Sequence, residues 1–409
     1  MNNSKTINRW FVVFGAVLLQ MCIGAIYTWS LFNQPLMDKF GWENSEVVLT
    51  YSIAVFVFAF STIFSGRLQD KIGPKKVATI GAILYGGGIM LASTATSLMQ
   101  LYIYYGVIAG AGVGFAYVCP LSTCVKWFPE KKGFITGIAV GAFGLGSLVF
   151  KSAIQYFVSN SGVSATFLYL GAIYAVLGLI GAQFLILPPA GYGVSANNAK
   201  ATKENDMKVG EMLRTKSFYF VWVMFLFGCM SGLLVIGLAK DIGIKLAGLD
   251  ATTAANAVAM IALFNAGGRL IWGTLSDKLG RIKVVTMMFI ITAVSMVAMS
   301  VLTLNFVTFF AALAGIAFCF GGFLAVFPTI TGEYFGIKNL GANYGVVYQA
   351  YGVAALVGPM IVAKVGGLKP TFLIAAAFAI IGVALTFIVK APVANLSSVK
   401  QTKLHPLKR

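Results

Sequence analysis

The sequence predicts an all-α membrane protein of twelve transmembrane helices, arranged as two pseudo-symmetric six-helix halves. Three observations predict it: a composition too apolar for water, twelve apolar runs of spanning length, and a loop motif that occurs twice. Of 409 residues, 59% are hydrophobic, 46 are glycine and 10% are Asp, Glu, Lys or Arg. An ordinary globular domain carries about 25% charged residues. Mean hydropathy is +0.87. A soluble chain of this size needs far more polar surface to cover its core, so most of this chain must face lipid or other buried helices.

The spans follow from length. About 20 apolar residues cross a hydrocarbon core about 30 Å thick as a helix, and lipid forces the helical form because it cannot satisfy open backbone groups. Six such runs fall at 10–36, 46–65, 77–97, 100–125, 133–157 and 165–187. A hydrophilic stretch, 188–216, interrupts them. Six more fall at 217–240, 252–275, 284–303, 307–331, 341–365 and 370–390. The expected organisation is a first half over 1–187, a central loop over 188–216, a second half over 217–390 and a tail over 391–409. The first run is too long and too aromatic for a cleaved signal peptide and lacks a small-residue cleavage site, so it reads as a retained span.

Basic residues set the orientation. The net charge of +18 suggests nucleic acid until the cations are located, because they sit in short gaps between apolar runs. With the N-terminus cytoplasmic, 23 of the 30 Lys and Arg fall in inside segments and six on or near the other side. Both termini, central loop and tail are thus expected in the cytoplasm, with the chain multi-pass in the plasma (inner) membrane, its partner the lipid bilayer. The remaining cation, Arg269, belongs to neither set.

Cys22, Cys119, Cys124, Cys229 and Cys319 all lie in apolar stretches. Their odd number and their spacing indicate neither a disulfide framework nor a zinc site. The one histidine, His405, lies in the tail, which excludes histidine chemistry within the membrane. No catalytic residue, metal or cofactor is expected.

The halves repeat. Gly66 opens GRLQDKIGPKK after span 2 and Gly273 opens GTLSDKLGRIK after span 8, an offset of 207 residues. At the same offset KWFPEKKG from Lys126 matches EYFGIKNLG from Glu333, bringing Phe128 onto Phe335. Two matches at one offset argue for a duplicated six-helix unit, a plan on which transporters build a site between halves.

This doubled loop pattern, with twelve spans, resembles the major facilitator superfamily of secondary transporters. Within it, GAIYTWSLFNQPL (24–36), AGAGVGFAYVCP (109–120), KWFPEKKG and LFNAGGRLIWGTLSDKLGR (263–281) look like the oxalate/formate antiporter branch, which is similar to the monocarboxylate transporters. The resemblance spans nearly the whole chain.

Arg269 is the central candidate. It lies eight residues before Asp277, so about 12 Å along the helix from the loop at 1.5 Å per residue. An unpaired cation at that depth costs about 2.5–3.5 kcal/mol on insertion scales. A guanidinium there suits a carboxylate, whose two oxygens its planar fork matches. The bland alternative, snorkelling, requires the side chain to reach past Trp272 and Leu275. Asn265, one turn earlier, shares its face; it orients the guanidinium, meets a substrate oxygen, or bonds another helix. The resemblance implies an aspartate at this position in monocarboxylate carriers, and asparagine does not take up a proton.

The resemblance also implies a second cation, a lysine in span 11 of oxalate carriers. Aligned on Asn343-Tyr344-Gly345, that position here is Tyr351. One cation neutralises one carboxylate, and a dicarboxylate leaves a charge uncompensated in low dielectric. The expected substrate is a small monocarboxylate such as lactate, pyruvate, propionate or formate, with Tyr351 meeting a hydroxyl or keto oxygen. Tyr27, Tyr117 and Phe320 match the family's cavity positions, and Tyr348 lies one turn before Tyr351; ordinary helix packing is the alternative for each ring.

Gly106, Gly110, Gly114 and Gly133, Gly137, Gly141 recur at four-residue spacing, which reads as close helix packing. Asp70 and Asp277, in the repeated loops, are expected to cap helices and latch the inward-closed state. Asp241 and Glu333, near span ends, are weak candidates for a proton carrier; the proton can equally travel with the substrate. The function expected is proton-coupled symport of a monocarboxylate anion by a monomer, with carboxylate exchange of the oxalate/formate type as the alternative. A membrane sensor lacks a signalling domain, an enzyme lacks a nucleophile–base pair, and multidrug cation efflux lacks a buried acid.

Overall fold

The computed structural model describes residues 8–189, 192 and 206–392. His405 and most of the tail and central loop lie outside the described residues, as do the side chains of Asp241 and Lys240. Every regular element described is helical. The first span is α1 (Arg9–Gly24), a 3₁₀ turn (Ala25–Thr28) and α2 (Ser30–Phe40). Then follow α3 (Asn44–Ile72), α4 (Pro74–Ala92), and α5 (Leu98–Leu101) running through a π segment (Tyr102–Ala109) into α6 (Gly110–Trp127). The 52 residues of α7 (Lys132–Gln183) cross twice, because Gly162 (φ 76°) breaks it at the turn between spans 5 and 6.

A short α8 (Val209–Met212) precedes α9 (Lys216–Lys245), α10 (Ala251–Leu279), α11 (Arg281–Val301) and α12 (Phe306–Phe335). Span 11 is split into α13 (Leu340–Val347) and α14 (Gln349–Val365), and α15 (Leu368–Ile388) ends the bundle. The described residues make twelve crossings, in the predicted order. Outward faces carry large apolar side chains such as Phe64, Val294 and Phe387, 64%, 64% and 77% exposed, as lipid-facing surfaces do.

The repeated segments are not loops. Each is a helix end carried past the span, one glycine, and the next helix starting at once. Gly73 (φ 91°) separates α3 from α4, and Gly280 (φ 93°) separates α10 from α11. The 207-residue offset relates these two glycines also, and only glycine takes this conformation without strain. The predicted spans stop short here because lysines and arginines end the apolar run before the helix ends.

Helices of the first six pack on those of the second six along two seams: α10 and α12 lie on α7, and α13 and α14 lie on α3. At each seam two glycines bring backbones together, Gly273 on Gly133 and Gly66 on Gly341, where a Cβ has no room. Gly106, Gly110 and Gly114 pack on Ile53, Ala54 and Phe58 of α3. Gly133 and Gly137 pack on α10, whereas Gly141 has looser surroundings, with the Ala266 carbonyl 4.0 Å from where its Cβ would stand.

Candidate functional site

Arg269 is 1% exposed, so it does not snorkel. Its Nε–H donates to Asn265 Oδ1 at 2.7 Å, one turn back along α10. An Nη1–H crosses between the halves and donates to the carbonyl of Val140 on α7. The guanidinium carbon lies 6.0 Å from the centre of the Phe143 ring. Beneath it is Gly144, where a Cβ would stand 3.2 Å from the guanidinium carbon. A guanidinium has five N–H donors; two make these bonds, the Tyr27 hydroxyl lies within reach of the group, and among the described residues no carboxylate bonds it.

Tyrosines from both halves meet beside it. The broken first span puts Tyr27 in its 3₁₀ turn, and the split of span 11 puts Tyr348 at the break and Tyr351 in the first turn of α14. The hydroxyls of Tyr27 and Tyr351 hydrogen-bond at 2.9 Å. Tyr348 and Tyr351 stack with centroids 5.1 Å apart, and Tyr117 of α6 lies 4.8 Å from Tyr348. Phe143 meets Tyr27 edge-on at 5.3 Å and Tyr117 at 5.3 Å, which joins the rings to the arginine.

The sequence reading missed several members of this group. Phe58 of α3 contacts Tyr117, Tyr348 and Tyr351 at 5.2, 5.5 and 6.4 Å. Gln349 Nε2 donates to the Ala59 carbonyl at 2.7 Å, fastening the start of α14 to α3. Phe143 and Val140 complete the surroundings of the guanidinium. Phe320 is buried against Gly232 of α9, and among the described residues no ring contact joins it to the cluster. Its neighbour Gly321 takes the place beside Arg269, packing on the Asn265 carbonyl and Arg269 Cγ.

Asp277 and Asp70 close one end of the two seams. Asp277 Oδ1 and Oδ2 accept from the backbone N–H of Gly133 (2.9 Å) and Phe134 (2.8 Å), at the start of α7. Asp70 Oδ2 accepts from the Ala342 N–H at 2.8 Å, at the start of α13. Each aspartate thus caps a helix of the opposite half, with its charge at the positive end of that helix. Arg281 pairs with Asp277 at 2.6 Å and with Glu333 at 2.9 Å, and Lys126 stands 3.8 Å from Asp70. Glu333 is therefore committed to this network, not to the centre. All five cysteines are buried free thiols.

The chain matches the Major Facilitator Superfamily over residues 10–239 and 233–408. It belongs to that superfamily and is a membrane transporter, not an enzyme. It is 33% identical to the oxalate:formate antiporter of Oxalobacter formigenes over 98% of this chain and 95% of that one. It is 41% identical to an uncharacterized MFS-type transporter of Escherichia coli (strain K12), over 85% of this chain and 86% of that one. Monocarboxylate transporter 12 of Rattus norvegicus is 24% identical over 92% of this chain and 83% of its own. Among solved structures, the proton:xylose symporter XylE superposes with a TM-score of 0.74 at 15% identity, covering 93% and 95% of the two chains. That likeness concerns the fold alone.

Proposed function

We propose that this transporter carries small monocarboxylates, lactate- or pyruvate-like, together with a proton, by alternating access about the Arg269 site. The observation that carries this reading is a buried guanidinium with N–H donors to spare and, among the described residues, no carboxylate bonded to it. A carboxylate can take two of those donors bidentately, while Tyr27, Tyr117, Tyr348 and Tyr351 enclose a small organic group and offer hydroxyls to it. One cation matches one carboxylate. Asp70 and Asp277 act as latches that hold one entrance shut while the other opens, and the six-helix halves, 1–187 and 217–390, rock as units. The basic face is the cytoplasmic face of the inner membrane, with both termini on it, and the protein works as a monomer.

Carboxylate exchange is the second reading, favoured by the 33% identity to an oxalate:formate antiporter. Uptake of labelled lactate, pyruvate, propionate and formate into vesicles, with and without an imposed pH gradient, tests the proposal. Lack of uptake of any of the four, with or without the gradient, would overturn the substrate class.

A further inference from the structure

Behind the central site, within the first six helices, lies a second polar feature. A cavity of about 10 Å³ is lined by Thr28, Phe32, Tyr85, Tyr105, Phe167 and Tyr174 among others. Tyr85 and Tyr174 are 1% and 3% exposed, and their rings stack with centroids 5.5 Å apart. Neither hydroxyl has a hydrogen-bond partner among the described residues. Tyr105, 3% exposed, lines the same cavity. Buried hydroxyls are as a rule satisfied by protein or by ordered water. One water needs about 10–15 Å³ and two to four polar partners. The cavity reaches the lower end of that volume, Tyr85 and Tyr174 on its lining bring two unpartnered hydroxyls, and it is too small for any organic ligand.

We propose that this cavity binds one ordered water shared by the Tyr85 and Tyr174 hydroxyls. Its position gives it a task. The cavity sits where two spans leave α geometry: Thr28 closes the 3₁₀ turn of span 1, and Tyr105 stands in the π segment before α6. Trp29, next after the turn, packs on Tyr105 at 4.3 Å. On the same turn Tyr27 reaches the central site and bonds Tyr351. The water fills the space behind the turn that presents Tyr27, so it holds that turn without an apolar side chain wedged against it.

The test uses the purified full chain and the variants Tyr85→Phe, Tyr174→Phe and both together. With a shared water, each single change removes one of its partners and lowers the thermal midpoint by a few degrees. The double change then lowers it by less than the two singles added. An unpaired hydroxyl behaves in the opposite way, because its removal relieves an unmet desolvation cost. Midpoints unchanged or raised in both singles overturn the proposal. Radiolytic hydroxyl-radical footprinting reads the water directly. Radicals form beside the rings, so Tyr85 or Tyr174 is oxidised severalfold faster than Phe289, which is equally buried. Oxidation no faster than that of Phe289 likewise overturns it.

Discussion

Arg269 reaches from one half of the bundle to the other and donates to the Val140 carbonyl. The acceptor is a backbone oxygen, so the guanidinium is held in place while its full charge remains uncompensated by any carboxylate among its hydrogen-bond partners. A lysine cannot reproduce this, since it offers a point charge without the planar fork. Arg269→Ala and Arg269→Lys are expected to abolish transport while the protein folds and inserts normally. Uptake assays paired with size-exclusion profiles check this, and near-normal uptake by the alanine variant refutes the anion-site assignment.

Gly144 offers a gentler perturbation of the same group. A methyl at this position stands 3.2 Å from both the guanidinium carbon and Nη1, tight enough to push the fork by a few tenths of an ångström. Loss of one hydrogen bond costs about 0.5–1.5 kcal/mol, or roughly two- to thirteenfold in affinity. Gly144→Ala is expected to raise KM by that factor with kcat largely kept. A fall in kcat at constant KM would mean that Gly144 serves helix sliding instead of substrate binding.

The sequence made this much of the site legible because charge and polarity are conspicuous in an apolar chain. Arg269 stands out among 30 cations by depth alone, and Asn265 follows from helical spacing. The twelve crossings and their duplication were likewise written in apolar run lengths and in the two copies of the loop. Val140 was invisible, since every residue has a carbonyl. Phe58 and Phe143 were two among 33 phenylalanines, and only packing distinguishes them. Neither the 3₁₀ turn at Tyr27 nor the break at Tyr348 contains a proline to announce it. Phe320 was assigned by alignment with relatives, but here Gly321, not Phe320, packs beside Arg269.

Asp70 and Asp277 lead to a prediction about conformation. Asp277 accepts two backbone N–H bonds through two oxygens, and asparagine has one oxygen and no charge to offer the helix end. Asp277→Asn combined with Asp70→Asn is expected to loosen this face. Spin labels at Lys75→Cys and Lys283→Cys, both exposed, read the separation of the halves there, and the buried native thiols should label little. The distance distribution should shift outward in the double variant. An unchanged distribution would deny the aspartates a latching role.

Selection by charge rests on Tyr351. Its hydroxyl bonds Tyr27 at 2.9 Å and supplies no cation, so a second carboxylate entering the site finds nothing to neutralise it. Oxalate is expected to bind at least about tenfold more weakly than lactate or pyruvate, an energy gap of about 1.4 kcal/mol. Competition against labelled lactate measures the ratio. Equal inhibition by oxalate would sink the argument from charge counting.

Coupling is the last prediction, and it follows from the charge on Arg269. A bound monocarboxylate neutralises the guanidinium, so the loaded carrier reorients as a neutral body, while the empty carrier returns with its positive charge. If the anion travels alone, each cycle moves one negative charge inward against an inside-negative potential. At 100 mV this costs about 2.3 kcal/mol per charge, close to a fiftyfold handicap on accumulation. One proton carried in the same cycle removes it, and so does one anion carried out. Neither Asn265, which takes up no proton, nor Glu333, which Arg281 engages, carries that proton. Uptake of lactate into empty vesicles should therefore begin on an inward proton jump and be indifferent to a clamped membrane potential. Accumulation that appears only after preloading with a second carboxylate, at any pH, would assign the protein to exchange.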